Sequence, residues 1–250
     1  MVLHLAQWVA LSRATMLSTP ISRTSVITSQ IRVGPYEHLR RATMEECLQA
    51  APFFCDQLQR PDEIGYEIYT GLAALLASTT GARSFFVTWN NDADFASADQ
   101  SPPPQALLSA LDEACAAPGP SRFYAQTLLM NIAMPVAAAT AASGDADAER
   151  AAMRSYKRAA ILAGYISACE GGATSLPNQL REQARAFAET ITSSITGGGD
   201  EQDASEQDDN DFSWSKVIAS GGYDAAQLEA IANAITLSAP DGSGKKRMAG

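Results

Sequence analysis

PDEIGYEIYTGLAALLASTTGARSFFVTW, Pro61 to Trp89, is the stretch on which the fold turns. Pro61 suits the first position of a helix, and Asp62 and Glu63 suit the positive end of its dipole. Behind them Ile64, Ile68, Leu72, Leu75 and Leu76 recur every three or four residues, which predicts an amphipathic helix. Tyr66 and Tyr69 widen its buried face, and Gly65, Gly71, Ala73, Ala74 and Ala77 would let another helix approach closely. Each large aliphatic side chain contributes about 1.5 to 3 kcal/mol on burial, so this stripe is read as a central core element. STTGAR ends the helix, with Gly81 as its C-cap. The β-branched and aromatic SFFVTW, Ser84 to Trp89, then reads as one short buried strand or extended segment. Partners for it are weak, Ser29 to Gly34 among them, so the expected fold is mainly α: a single bundle-like core with at most one strand or a two-stranded ribbon.

Working outward, LRRATMEECLQAAPFFCDQLQRP places Thr43 three residues before Glu46, a capping box that starts a helix there. Cys47, Leu48, Ala51, Phe54, Cys55 and Leu58 keep helical spacing, and Pro52 within the run predicts a kink or a break. On the other side, NNDADFASADQSPPP is polar and proline-rich. Asn90, Asp92 and Asp94 alternate as oxygens do in a calcium loop, but Phe95 and Ser101 stand where that loop needs glycine and glutamate. The acids are read as turn and capping groups, and no metal is assigned.

Three more helices follow. Leu107, Leu108, Leu111 and Cys115 share one face of the first. Between Arg122 and Asp145 no charge occurs for 22 residues, a membrane-length run. Gln126, Thr127, Asn131 and Pro135 dilute it, and much of the remainder is alanine, so burial inside a bundle is the expected fate. DADAERAAMRSYKRAAILAGYISACEGG carries Arg154, Lys157 and Arg158 at its centre, read as a solvated face or a contact for an acidic partner. A last core helix turns Leu180, Ala184, Phe187 and Ile191 inward.

The ends differ in character. Residues 1–36 form an extension without Asp or Glu, its Arg13, Arg23 and Arg32 set among nine Ser or Thr residues, and it reads as an organelle-targeting peptide, as a disordered bacterial extension, or as a start codon assigned too early with Met16 as the true first residue. The helical core spans 37–196. Residues 197–212 hold seven acids and no base and read as a disordered linker. A short helical segment, 213–238, either docks on a partner or folds back on the core through Trp214 and Ile218, and 239–250 is a loose tail.

The net charge of −10 argues against a nucleic-acid partner, which needs a basic face. Four scattered cysteines, Cys47, Cys55, Cys115 and Cys169, give neither zinc spacing nor a disulfide framework and read as small thiols in a reducing compartment. His4 and His38 precede the first firm helix, and phosphate-loop, dinucleotide, nucleophile-elbow and zinc-protease motifs are all missing. No catalytic residue and no cofactor is assigned. LRRATMEECLQAAPFF, the quoted central stretch and LLMNIAMPVA resemble segments of an uncharacterised conserved protein family of cyanobacteria and plastid-bearing algae, over about Thr24 to Gly172. The resemblance implies a photosynthetic lineage; with the transit-like start it implies the chloroplast stroma in a eukaryote and the cytoplasm otherwise. Two functions are compatible with the residues. One is a noncatalytic protein working through protein–protein interaction as an assembly or regulatory factor. The other is a small-molecule binder or enzyme whose pocket uses Tyr66, Tyr69, Arg83, Trp89 and Asn131, a set suited to an anionic or planar ligand.

Overall fold

A computed structural model describes residues 36–60, 64–116, 120–142, 144–172, 175–196 and 212–239. Among them every regular element is helical: α1 (Met44–Leu58), α2 (Tyr66–Leu76), α3 (Thr79–Asn91), α4 (Gln105–Ala114), α5 (Pro120–Ala141), α6 (Ala146–Ala168), α7 (Leu176–Ile195), α8 (Trp214–Gly221) and α9 (Ala225–Ser238). Short 3-10 turns at Tyr36–Arg41 and Ala96–Asp99 complete the order. The expected extension, acidic linker and tail lie outside the described residues, apart from Tyr36, Phe212 and Ala239.

α1 begins as its capping box dictates: the Thr43 hydroxyl accepts from the Glu46 amide at 3.3 Å, and the Thr43 amide donates to Glu46 Oε2 at 2.8 Å. The helix is continuous through Pro52, not broken into two. Its stripe of Cys47, Ala51, Phe54, Cys55 and Leu58 is wholly buried, and that packing outweighs the loss of one backbone donor. Leu72, Leu75 and Leu76 of α2 are buried and Ile68 is half-buried, as the stripe requires. α2 itself starts at Tyr66 behind an N-cap at Gly65, so Ile64 precedes the helix, and Pro61 to Glu63 lie outside the described residues.

The strand expected at Ser84–Trp89 is instead the middle of α3. Ala82, Phe85, Phe86 and Trp89 are buried at spacings of three and one, a helical period, while β-branched Val87 and Thr88 are only half-buried. α3 packs against α1, α2, α5 and α6, and tertiary burial of that apolar face overrides local strand preference. Gly81 is likewise no C-cap. α2 ends at Ala77, Ser78 caps α3 by accepting from the Gly81 amide at 2.9 Å, and glycine is needed because a Cβ there would sit 2.0 Å from the Leu75 carbonyl oxygen.

α5, α6, α7 and α9 all contact one another and form a four-helix unit. Short connections make α6 antiparallel to α5 and α7 antiparallel to α6. The Gln126 to Gln183 hydrogen bond, 3.2 Å, joins matching ends of the parallel pair α5 and α7. α5 is apolar on nearly every side because it touches α3, α6, α7 and α9; among the described residues no helix is long and apolar enough to cross a membrane. α1, α2 and α4 build a second layer, joined to the unit mainly through α3.

The carboxyl segment is part of this core. Trp214 stacks on Phe187 with ring centroids 3.9 Å apart and planes 8° from parallel. Gly222, at φ +62°, takes the left-handed conformation that turns α8 into α9. Leu228, Ile231, Ala234 and Ile235 are buried, and Gln227 Nε2 donates to the Ala137 carbonyl at 3.0 Å. Of the two fates open to residues 213–238, the structure takes the fold-back.

Candidate functional site

The five residues of the expected aromatic and arginine pocket occupy different environments. Tyr66 is 80% exposed at the start of α2. Half-buried Tyr69 donates to the Ser109 carbonyl at 3.3 Å, and its hydroxyl is pushed up to about 12, first by the Glu113 carboxylate beside it and then by burial. Arg83 is exposed and lies over the Phe123 ring at 5.6 Å. Trp89 is buried in a stack with Phe85, centroids 5.8 Å apart. Asn131 is buried, accepting from Asn90 Nδ2 at 3.2 Å and donating to the Thr127 carbonyl at 2.8 Å. The interior pair is engaged in packing and hydrogen bonding, and Tyr66 and Arg83 face solvent.

The basic trio of α6 is not a solvated face. Lys157 is exposed and Arg154 half-buried, but Arg158 is 1% exposed. Its guanidinium grips Asp99 with two bonds, Nε to Oδ1 at 3.1 Å and Nη2 to Oδ2 at 2.8 Å, while Nη1 donates to the carbonyls of Trp89 and Asp92 at 3.3 and 2.5 Å. A planar fork can serve a carboxylate and a helix end together, which an ammonium cannot. These bonds hold the Asp99 carboxyl below its ordinary range, by hydrogen bonding first and charge second. Ser155 extends the junction by donating to Asn91 Oδ1 at 2.6 Å. Arg158 therefore fastens the end of α3 and the 96–99 turn onto α6. The sequence reading missed this because the partner acid is 59 residues away and only the fold brings it near.

A concave surface lies elsewhere. A cleft of about 390 Å³ opens between α4, the last turn of α6 and the first turn of α7. One face of α4 lines it at Gln105, Leu108, Ser109 and Asp112, a spacing of three and four. Leu108, Leu111, Ile166 and Leu176 give it an apolar floor. Asp112 and Glu170 stand exposed at its rim, and among the described residues no basic side chain lines it. Among the described residues neither carboxylate has a cationic partner. The nearby Arg181 is turned to the Ser167 and Cys169 carbonyls, where it caps the end of α6. Cys169 is exposed in the cleft wall; Cys47 and Cys55 are buried, and burial pushes both of those thiols up. No group of three or more His, Cys, Asp or Glu able to hold a metal occurs among the described residues.

Such a cleft can take an elongated apolar group that carries positive charge, the apolar part leaving water and the charge facing the two carboxylates. In the sequence Leu108 and Leu111 read as core positions and Cys169 as a plain thiol, since the site exists only where a face of α4 meets the end of α6 and the start of α7. Comparison with known proteins adds no relative: no family model, curated protein or solved structure matches this chain.

Proposed function

We propose that this is a noncatalytic helical protein that acts through protein–protein interaction, in assembly or regulation, and that the cleft between α4, α6 and α7 receives a basic, apolar peptide segment of its partner. The observation that carries the reading is an apolar floor set between two exposed carboxylates, Asp112 and Glu170, that no cation of the described residues neutralises. The bonding of Arg158 and Asn131 and the burial of Cys47 and Cys55 support it further, because the chemically versatile groups of the core serve packing. The small-molecule alternative built on Tyr66, Tyr69, Arg83, Trp89 and Asn131 draws less support from the separate environments of those residues. The photosynthetic setting is part of the same proposal and rests on the resemblance; import of a fusion carrying residues 1–36 into isolated chloroplasts tests it, and exclusion of that fusion would remove the plastid assignment.

Fluorescence anisotropy of the full chain with a labelled Lys-Leu-Lys-Leu-Met peptide tests the cleft. Saturable binding that weakens about tenfold in the Asp112→Asn, Glu170→Gln double variant is expected, since two charge contacts together amount to roughly 1 to 2 kcal/mol. Equal affinity in the variant, or no binding at millimolar peptide, would reject the site.

A further inference from the structure

Resting on that reading of the cleft, we infer that it has an occupant within the same chain: the Gly244–Met248 stretch, GKKRM, binds there and competes with the outside partner.

Chemistry selects this stretch. On a chain of net charge −10, Lys245, Lys246 and Arg247 are the one run of three consecutive bases, and Met248 follows them as a flexible apolar side chain. That is the combination the cleft asks for, charge for the Asp112 and Glu170 rim and an apolar group for the Leu108, Ile166 and Leu176 floor. Residues 240–250 lie outside the described residues, and the inference concerns only where their sequence binds.

Geometry brings the stretch within reach. α9 ends beside α6: a Cβ built on Gly164 would lie 3.3 Å from the Ser238 carbonyl oxygen. Gly164 directly precedes Tyr165, which lines the cleft. At 100° per residue Gly164 points roughly opposite to the mean direction of Tyr165 and Ile166, the helical residues that line the cleft, so the chain must pass round one helix, about 10 to 12 Å across. The six residue steps from Ala239 to Lys245 span up to about 20 Å when extended. A segment tethered this closely acts at millimolar effective concentration, so even a weak contact is well populated.

Cys169 reports on it. It is exposed in the cleft wall, whereas Cys47 and Cys55 are buried, and mass mapping separates it from Cys115. The rate of Cys169 alkylation by N-ethylmaleimide, an uncharged reagent, is measured in the full chain and in a full-length Lys245→Glu, Lys246→Glu, Arg247→Glu variant. The variant is expected to label about threefold faster at low salt, with the difference gone near half-molar salt, where charges are screened beyond about 4 Å. Asp112→Asn with Glu170→Gln should give the same acceleration and add nothing to the tail variant. Equal labelling of wild type and tail variant would overturn the inference. Binding of the Lys-Leu-Lys-Leu-Met peptide to the same proteins separates the two claims. Tighter binding by the tail variant supports the inference, and equal binding by both chains sinks it while leaving the partner site standing. If neither binds but Cys169 still responds to the tail, the internal contact stands and the partner reading falls.

Discussion

Replacing Arg158 by methionine keeps an apolar stem of similar length and deletes the guanidinium. Asp99 then loses its partner but is 39% exposed and rehydrates, so little of the penalty arises there. The Trp89 and Asp92 carbonyls fare worse, because their donor was the buried Nη1 and methionine supplies none. Disrupting one partner of a buried ion pair destabilises by about 3 to 5 kcal/mol, and the open side of Asp99 places this case near the low end, about 3 kcal/mol. With a urea slope of about 2 to 3 kcal/mol per molar, the midpoint should fall by roughly 1 to 1.5 M at unchanged slope. Arg158→Lys keeps the charge without the fork and should behave closer to methionine than to wild type. A methionine variant within about 0.5 M of wild type would refute the view that this side chain fastens α3 and the 96–99 turn to α6.

Three further outcomes are expected. Gly81→Ala should destabilise by about 2 kcal/mol or more, since its Cβ meets a backbone oxygen that cannot yield, whereas Gly65→Ala, with nothing within 4 Å, should change stability by less than about 1 kcal/mol in the same urea titration. Trp214→Ala should cost about 3 kcal/mol and lower the single unfolding transition of the whole chain; an unshifted transition would show that α8 and α9 do not contribute to the core. The Asp99 carboxyl titrates lower in the folded chain than in the unfolded one, so its contribution is complete above the unfolded value near 4 and fades as pH falls through the folded value below that. The stability gap between wild type and Asp99→Asn should therefore hold from pH 7 to 5 and close toward pH 2 in urea melts; a constant gap would contradict the pairing.

The sequence by itself determined the helical class and most helix positions, because periodicity and capping act over a few residues: the Thr43 and Glu46 box, the Leu72 and Leu75 stripe and the inward Leu180, Ala184, Phe187 and Ile191 all stand where local chemistry puts them. It misread Ser84–Trp89, since aromatic and β-branched residues favour strands only until a helix-spaced face is buried by neighbours on four sides. Arg158 looked like surface for a similar reason: a charge counts as solvated until the chain delivers its acid and a helix end. The cleft was illegible altogether. Its floor and its two carboxylates come from segments far apart in sequence, and only the tertiary structure, which sets α4 across a cleft from the α6 and α7 turn, makes them one surface.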